Sequence, residues 1–194
     1  VHVANGIREN CPKDERLELF ELPDFVTTMM ENKWLGSKTK QGFYKKSVSS
    51  EGKKEILTLD LNTLEYRSAK RAKFATLELT KTIDKVVDRF KVLVSGKDKA
   101  GEFYRKSFTA LFAYVSNRIP EITDELYKID DAMKAGFGWE HGPFQIWDAI
   151  GVEKGIELMK AEGLEPAAWV HEMLASGSKS FYSLKEGATY AYDI

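Results

Sequence analysis

The chain has 194 residues, 43% hydrophobic and 30% charged, with 29 basic against 30 acidic side chains. So even a balance speaks against nucleic acid as the main partner, and the length suits one or two domains. Cys11 is the single cysteine, which excludes an internal disulfide framework and a cysteine metal cage, and no apolar run approaches the roughly 20 residues that span a bilayer.

A soluble cytoplasmic protein is therefore expected. Residues 1–7 read as part of a helix with no cap ahead of it, and the closing Tyr190-Ala191-Tyr192-Asp193-Ile194 reads as a strand without a tail. Both ends look cut from something longer. Glu9, Asp14, Glu15, Glu18 and Glu21 form an acidic stretch lacking a spaced His, so a solvated helix face is expected rather than a metal site. Pro23 opens a short helix that includes Met29 and Met30, because its fixed φ suits a first turn. Lys45-Lys46, Lys53-Lys54 and Lys70-Arg71-Lys73 are read as solvated faces rather than phosphate sites. Residues 56–61 alternate like a strand, Asn62-Thr63 supplies a turn, and residues 64–67 return.

Leu79, Ile83, Val86, Val87, Phe90, Leu93 and Val94 then lie on one stripe of a long helix. Ser95-Gly96-Lys97-Asp98 breaks it, with Gly96 at a C′ position. Tyr104, Phe108, Leu111, Phe112, Val115 and Ile119 mark a second helix, stopped by Pro120. Ile122, Leu126, Ile129 and Met133 mark a third. Next comes Ala135-Gly136-Phe137-Gly138-Trp139-Glu140-His141-Gly142-Pro143-Phe144, a tight glycine loop with Pro143 opening the following helix. Asp148 and Gly151 fit a helix end and the cap of the helix after it. Short helices are expected at 144–150, 152–162 and 166–175. A hairpin is expected from Phe181-Tyr182-Ser183-Leu184 and Thr189-Tyr190-Ala191-Tyr192 around Lys185-Glu186-Gly187.

A weak internal repeat runs through these elements. Trp34 and Gly42-Phe43-Tyr44 before one hairpin resemble Trp169 and Ser180-Phe181-Tyr182 before the other. Upstream, Leu22-Pro23-Asp24-Phe25-Val26 with Met29-Met30 resembles Glu165-Pro166-Ala167-Ala168-Trp169 with Met173-Leu174, and residues 1–7 match 152–158.

Three segments resemble one family. GFGWEHGPFQIWDAIG (136–151) is similar to the G-F-G-x-x-x-G-P-F-x-x-x-D-x-x-G signature of the 3-hydroxyacyl-CoA dehydrogenase C-terminal domain. Val115-Ser116-Asn117-Arg118 resembles the V-x-N-R of that domain's opening helix. Leu35-Gly36-Ser37-Lys38-Thr39-Lys40-Gln41-Gly42-Phe43-Tyr44 resembles its closing L-G-x-K-T-G-x-G-F-Y, with Lys40 where the pattern has Gly. Residues 56–67 resemble the linker hairpin of the bacterial and archaeal subgroup fused to an enoyl-CoA hydratase.

The resemblance implies a mainly α, 6-phosphogluconate-dehydrogenase C-terminal-like helical fold with two small β-hairpins. It divides the chain into 1–46, the tail of a first repeat; 47–67, a linker; and 68–194, a complete second repeat. The implied activity is NAD-dependent oxidation of 3-hydroxyacyl-CoA to 3-oxoacyl-CoA in fatty-acid β-oxidation, performed by an intact parent. This fragment would be inactive alone and bind no cofactor, since no G-x-G-x-x-G loop follows a strand. The family's catalytic His–Glu pair belongs to the NAD-binding domain, and none of His2, His141 and His171 sits in its motif. Implied partners are acyl-CoA, the NAD-binding domain, a hydratase domain and a second copy, with no nucleic acid.

The implied substrate contacts are Asn117, which matches the V-x-N-R asparagine, and Trp139 and Phe144, which could line an acyl groove. Each has a plainer reading: helix-to-helix hydrogen bonding for Asn117, core packing for Trp139, Phe144 and Trp147. Arg118 reads as an ion-pair or helix C-terminal residue. Two other functions compete with the parent enzyme. One is a stand-alone helical acyl-CoA-binding or interaction module; the other is a different enzyme centred on Glu140-His141.

Overall fold

Helices dominate, as the apolar spacing requires: nine α-helices stand beside five short strands in the computed structural model, which describes all residues 1–194. They belong to two units, Val1–Ala72 and Lys73–Ile194.

The first unit contains α1 (His2–Asn10), α2 (Asp24–Glu31) and an antiparallel sheet of β1 (Tyr44–Val48), β2 (Lys54–Leu59) and β3 (Tyr66–Ser68). The expected hairpin is β2–β3. Strand β1 joins it, with Tyr44 opposite Thr58, so the sheet has three strands where the alternation had shown two. Lys40 occupies the left-handed conformation at φ 62 that the family pattern gives to Gly, at a cost of about 1–2 kcal/mol. The turn is held by Thr39, whose hydroxyl accepts from the Leu35 N–H at 3.0 Å and lies within bonding distance of the Gly36 and Gln41 carbonyls. Among its hydrophobic residues only Met29 and Leu59 are buried.

The second unit runs α3 (Ala75–Thr80), α4 (Val86–Ser95), α5 (Lys99–Asn117), α6 (Leu126–Phe137), α7 (Pro143–Ile150), α8 (Val152–Ala161) and α9 (Ala168–Ala175), then the hairpin β4 (Tyr182–Lys185) and β5 (Ala188–Ala191). The single long helix expected across 79–94 is therefore two. Between them Thr80 and Thr82 turn their hydroxyls onto the Leu77 and Leu79 carbonyls at 2.9 and 3.1 Å, competing with the backbone ladder. Arg89 Nε then donates to the freed Ile83 carbonyl at 2.7 Å. Gly96 is not left-handed, having φ −60. Its glycine is steric instead: a Cβ there would meet Thr76 Oγ1 at 2.1 Å. Asp98 holds that threonine, accepting from its N–H and hydroxyl at 2.9 and 2.7 Å, and caps α5 through the Gly101 N–H at 3.0 Å. Ile122 lies ahead of α6 and is exposed, since Thr123 accepts from the Glu125 N–H and makes a turn of the approach.

The core of this unit is a column of rings. Phe108, Phe112 and Trp147 stack at 6.0 and 4.9 Å, and Phe181 closes on Trp147 at 4.9 Å and on Phe144 at 5.0 Å. Phe112, Trp147, Phe144 and Phe181 are all essentially inaccessible.

The helix endings and strand starts of the two units share a backbone hydrogen-bond pattern. After α2, Lys33 and Trp34 donate to the Met30 and Met29 carbonyls; after α9, Gly177 and Ser178 donate to Leu174 and Met173 in the same way. Lys33 and Gly177 both have positive φ, the mark of this helix ending. Downstream, Leu59 N–H donates to the Phe43 carbonyl as Tyr192 N–H does to Phe181. The tryptophans pair differently from the sequence reading: Trp34 follows its helix whereas Trp169 lies in the first turn of α9, so the counterpart of Trp169 is Phe25.

Candidate functional site

The glycine-rich loop and the three elements it ties together form the chemically richest part of the chain. Helix α7 begins at Pro143, after Gly142, which has no side chain to cap the free N–H groups of the first turn. Asp130, from the middle of α6, supplies the acceptor instead. Its Oδ1 accepts from Phe144 N–H at 2.9 Å, and its Oδ2 accepts from Gln145 N–H at 3.0 Å and from the Tyr182 hydroxyl at 2.8 Å. A carboxylate there also meets the positive end of the helix dipole. Gly142 is what lets it come so close: a Cβ would sit 2.3 Å from Asp130 Cγ. Gln145 completes the arrangement, its Oε1 accepting from the Gly142 N–H at 3.0 Å.

Asp148 is not a helix cap, contrary to expectation. It sits inside α7 and reaches 33 residues along the chain, its two oxygens accepting from Phe181 and Tyr182 N–H at 2.8 and 2.9 Å. Tyr182 thus bridges the two acids, giving its hydroxyl to one and its N–H to the other. Burial pushes the Asp148 carboxyl up to about 6, against the pull of its two N–H donors and with a further push from Asp130. Burial likewise raises Asp130, partly offset by the Phe144, Tyr182 and Gln145 donors. The Tyr182 phenol is raised by its own burial and by the neighbouring carboxylates.

Of the three expected substrate contacts, Asn117 donates its amide to the Ala113 carbonyl at 2.9 Å and to the Glu165 carbonyl at 3.4 Å, tying α5 to the approach of α9. Phe144 is fully buried in the ring column. Trp169 donates to the carbonyl of Ser116, the residue before Asn117, at 3.0 Å and packs 5.9 Å from Phe144. Trp139 packs against the same core and is partly exposed. Arg118 ends α5 and pairs with Glu121 at 2.6 Å. His141 packs edge-on against Phe90 at 6.0 Å and stands 3.7 Å from the exposed Glu140. No group of three or more His, Cys, Asp or Glu side chains could hold a metal ion.

Sequence reasoning missed Asp130 and Tyr182. The signal for Asp130 was present: it falls four residues after Leu126, on the face that α6 buries. The residues present do not fit a dinucleotide. Both sheets are antiparallel, and Gly136 lies in the last turn of α6 while Gly138 and Gly142 lie between α6 and α7, none of them after a strand.

The 3-hydroxyacyl-CoA dehydrogenase C-terminal domain family matches residues 99–189. Over 193 residues the chain is 38% identical to a Bacillus subtilis protein named "Probable 3-hydroxyacyl-CoA dehydrogenase", covering all of this chain and 24% of that protein. Two rickettsial proteins, both named "Putative fatty acid oxidation complex trifunctional enzyme", are also similar. The one from Rickettsia felis is 31% identical over 61% of this chain and 15% of its own length. The one from Rickettsia prowazekii is 29% identical over 81% and 20%. The chain thus spans no more than a quarter of the length of these relatives. No solved structure matches it, and no helix is long and apolar enough to cross a membrane.

Proposed function

We propose that this chain, whose residues 99–189 match the 3-hydroxyacyl-CoA dehydrogenase C-terminal domain family, is the C-terminal substrate-cleft and oligomerisation portion of a cytoplasmic enzyme of fatty-acid β-oxidation. The observation that supports a supporting role is the use made of Asp130 and Asp148. The acids that could have served as general bases are both occupied by backbone N–H donors within the fold. Oxidation of 3-hydroxyacyl-CoA by NAD is assigned to the larger protein, whose nucleotide domain would lie outside these residues. The units are proposed to be the tail of one repeat (1–46), a linker (47–67) and a complete second repeat (68–194).

Within that reading Trp139 is the residue proposed to meet acyl-CoA, because it alone of the three is an aromatic that stays partly exposed. Asn117 and Phe144, placed in the same constellation, would act on substrate by holding α5, α7 and α9 in register. The test is an assay of the 194-residue chain with NAD and a 3-hydroxyacyl-CoA. We expect no NADH above the uncatalysed rate. Sustained turnover, above all turnover lost in His141→Ala, would overturn the proposal in favour of a catalytic centre at the glycine loop.

A further inference from the structure

The two units repeat one motif, but they cover it differently. In the second unit Trp169 and Phe181 meet edge-on at 5.7 Å and 66°. In the first, their counterparts Phe25 and Phe43 meet edge-on at 6.3 Å and 71°. Phe181 is 0% exposed, whereas Phe43 is 49% exposed. The difference is what α7 contributes: Phe144 and Trp147 pack on Phe181, and Asp148 takes its N–H and that of Tyr182. The counterpart of Tyr182 is Tyr44. Since the Phe43 carbonyl and the residues paired with it every second position bond to β2, the Tyr44 N–H points away from β2. Phe43 and Tyr44 also line an open groove of about 360 Å³ with Lys40, Lys46 and Ile56. Two cations line that groove and no acid does, so it suits a carboxylate.

We propose that the Phe25–Phe43 corner is the seat of a helix supplied from outside this chain. That helix presents two aromatic side chains three residues apart and a carboxylate directly after the second. Its rings cover Phe43, and its carboxylate accepts from the outward Tyr44 N–H, as Asp148 does from that of Tyr182. The first unit is thereby a receptor for a helix of the α7 type, and its exposed phenylalanine is an interface residue.

The test uses the full chain, labelled with ¹⁵N, and a synthetic peptide of its own residues 126–151. That segment carries Phe144, Trp147 and Asp148 on α7, with α6 to fasten the start of the helix. Expected are saturable shifts of the Phe43 and Tyr44 amide signals, lost in the Phe43→Ala chain. Binding should be roughly tenfold weaker or worse with a peptide carrying Asp148→Ala, as loss of charge-assisted hydrogen bonds requires. Folding of the Phe43→Ala chain is checked by unchanged amide signals of Ile56 and Ser68, in β2 and β3 away from residue 43. Equal binding by the two peptides, no movement at Phe43 and Tyr44, or shifts confined to Lys73–Ile194 would overturn the proposal. So would a concentration-dependent dimer abolished by Phe43→Ala, because a second copy would then be the occupant.

Discussion

Asp130→Ala should destabilise the second unit by about 4 kcal/mol, since it strips the acceptor from three donors at once. Phe144 N–H, Gln145 N–H and the Tyr182 hydroxyl all end on this one carboxylate, which is 0% exposed. Water cannot readily replace it without opening the contact between α6 and α7. In a domain of this size the loss corresponds to a fall in melting temperature of roughly 12–20 °C. Asp130→Asn should recover part of it, because one carbonyl oxygen can still accept while the amide nitrogen faces a donor. Chemical denaturation followed by circular dichroism reads both variants. A loss under about 1 kcal/mol in the alanine variant would mean the donors find other partners, and the carboxylate would then not be the fastener of α7.

Trp147→Ala should cost a similar amount, about 3–5 kcal/mol, through a different route. Its ring is the centre of the column, stacked on Phe112 at 4.9 Å and packed on Phe181 at 4.9 Å. Its Nε1 also donates to the buried Val152 carbonyl at 3.1 Å, which the alanine would orphan. Helix α8 passes so close that a Cβ on Gly155 would meet Nε1 at 2.1 Å, so the cavity opens between two helices that are already in tight contact. Trp147→Phe keeps most of the volume and loses the hydrogen bond, and should fall between wild type and alanine. Equal stability of all three in urea would show that the ring column is not where this unit gets its cohesion.

The helices from α5 onward were legible because their apolar residues recur at three and four on one buried face, and the last hairpin because Glu186-Gly187 can both take positive φ. The break between α3 and α4 was hidden. Ile83 continues the apolar stripe in register, while the break itself is made by threonine hydroxyls and by Arg89, whose preference for local carbonyls leaves periodicity untouched. Strand β1 was missed because Tyr-Lys-Lys-Ser-Val alternates too weakly to show. At the site, the glycine loop and Pro143 announced a tight turn, and Gly142 turned out to be needed for the approach of Asp130 rather than for an unusual backbone angle, its φ being −77. What no local pattern could give is the partner of Asp148, because Phe181 and Tyr182 are brought to it by the whole path of α8 and α9.

Carboxyl-selective NMR titration of the full chain decides most directly whether the two acids belong to the fold. Asp148 should titrate near pH 6, above its ordinary value of 3.8, with the Phe181 and Tyr182 amide signals following the same curve. A folded-state value raised in this way contributes stability that is complete below about pH 4 and is lost as pH rises through about 6. Asp130, raised as well, acts in the same sense. The second unit should accordingly melt higher at pH 5 than at pH 7.5. Titration of Asp148 at its ordinary value with both amides unmoved, or stability that climbs from pH 5 to 7.5, would contradict this and return both acids to the list of groups free to do chemistry.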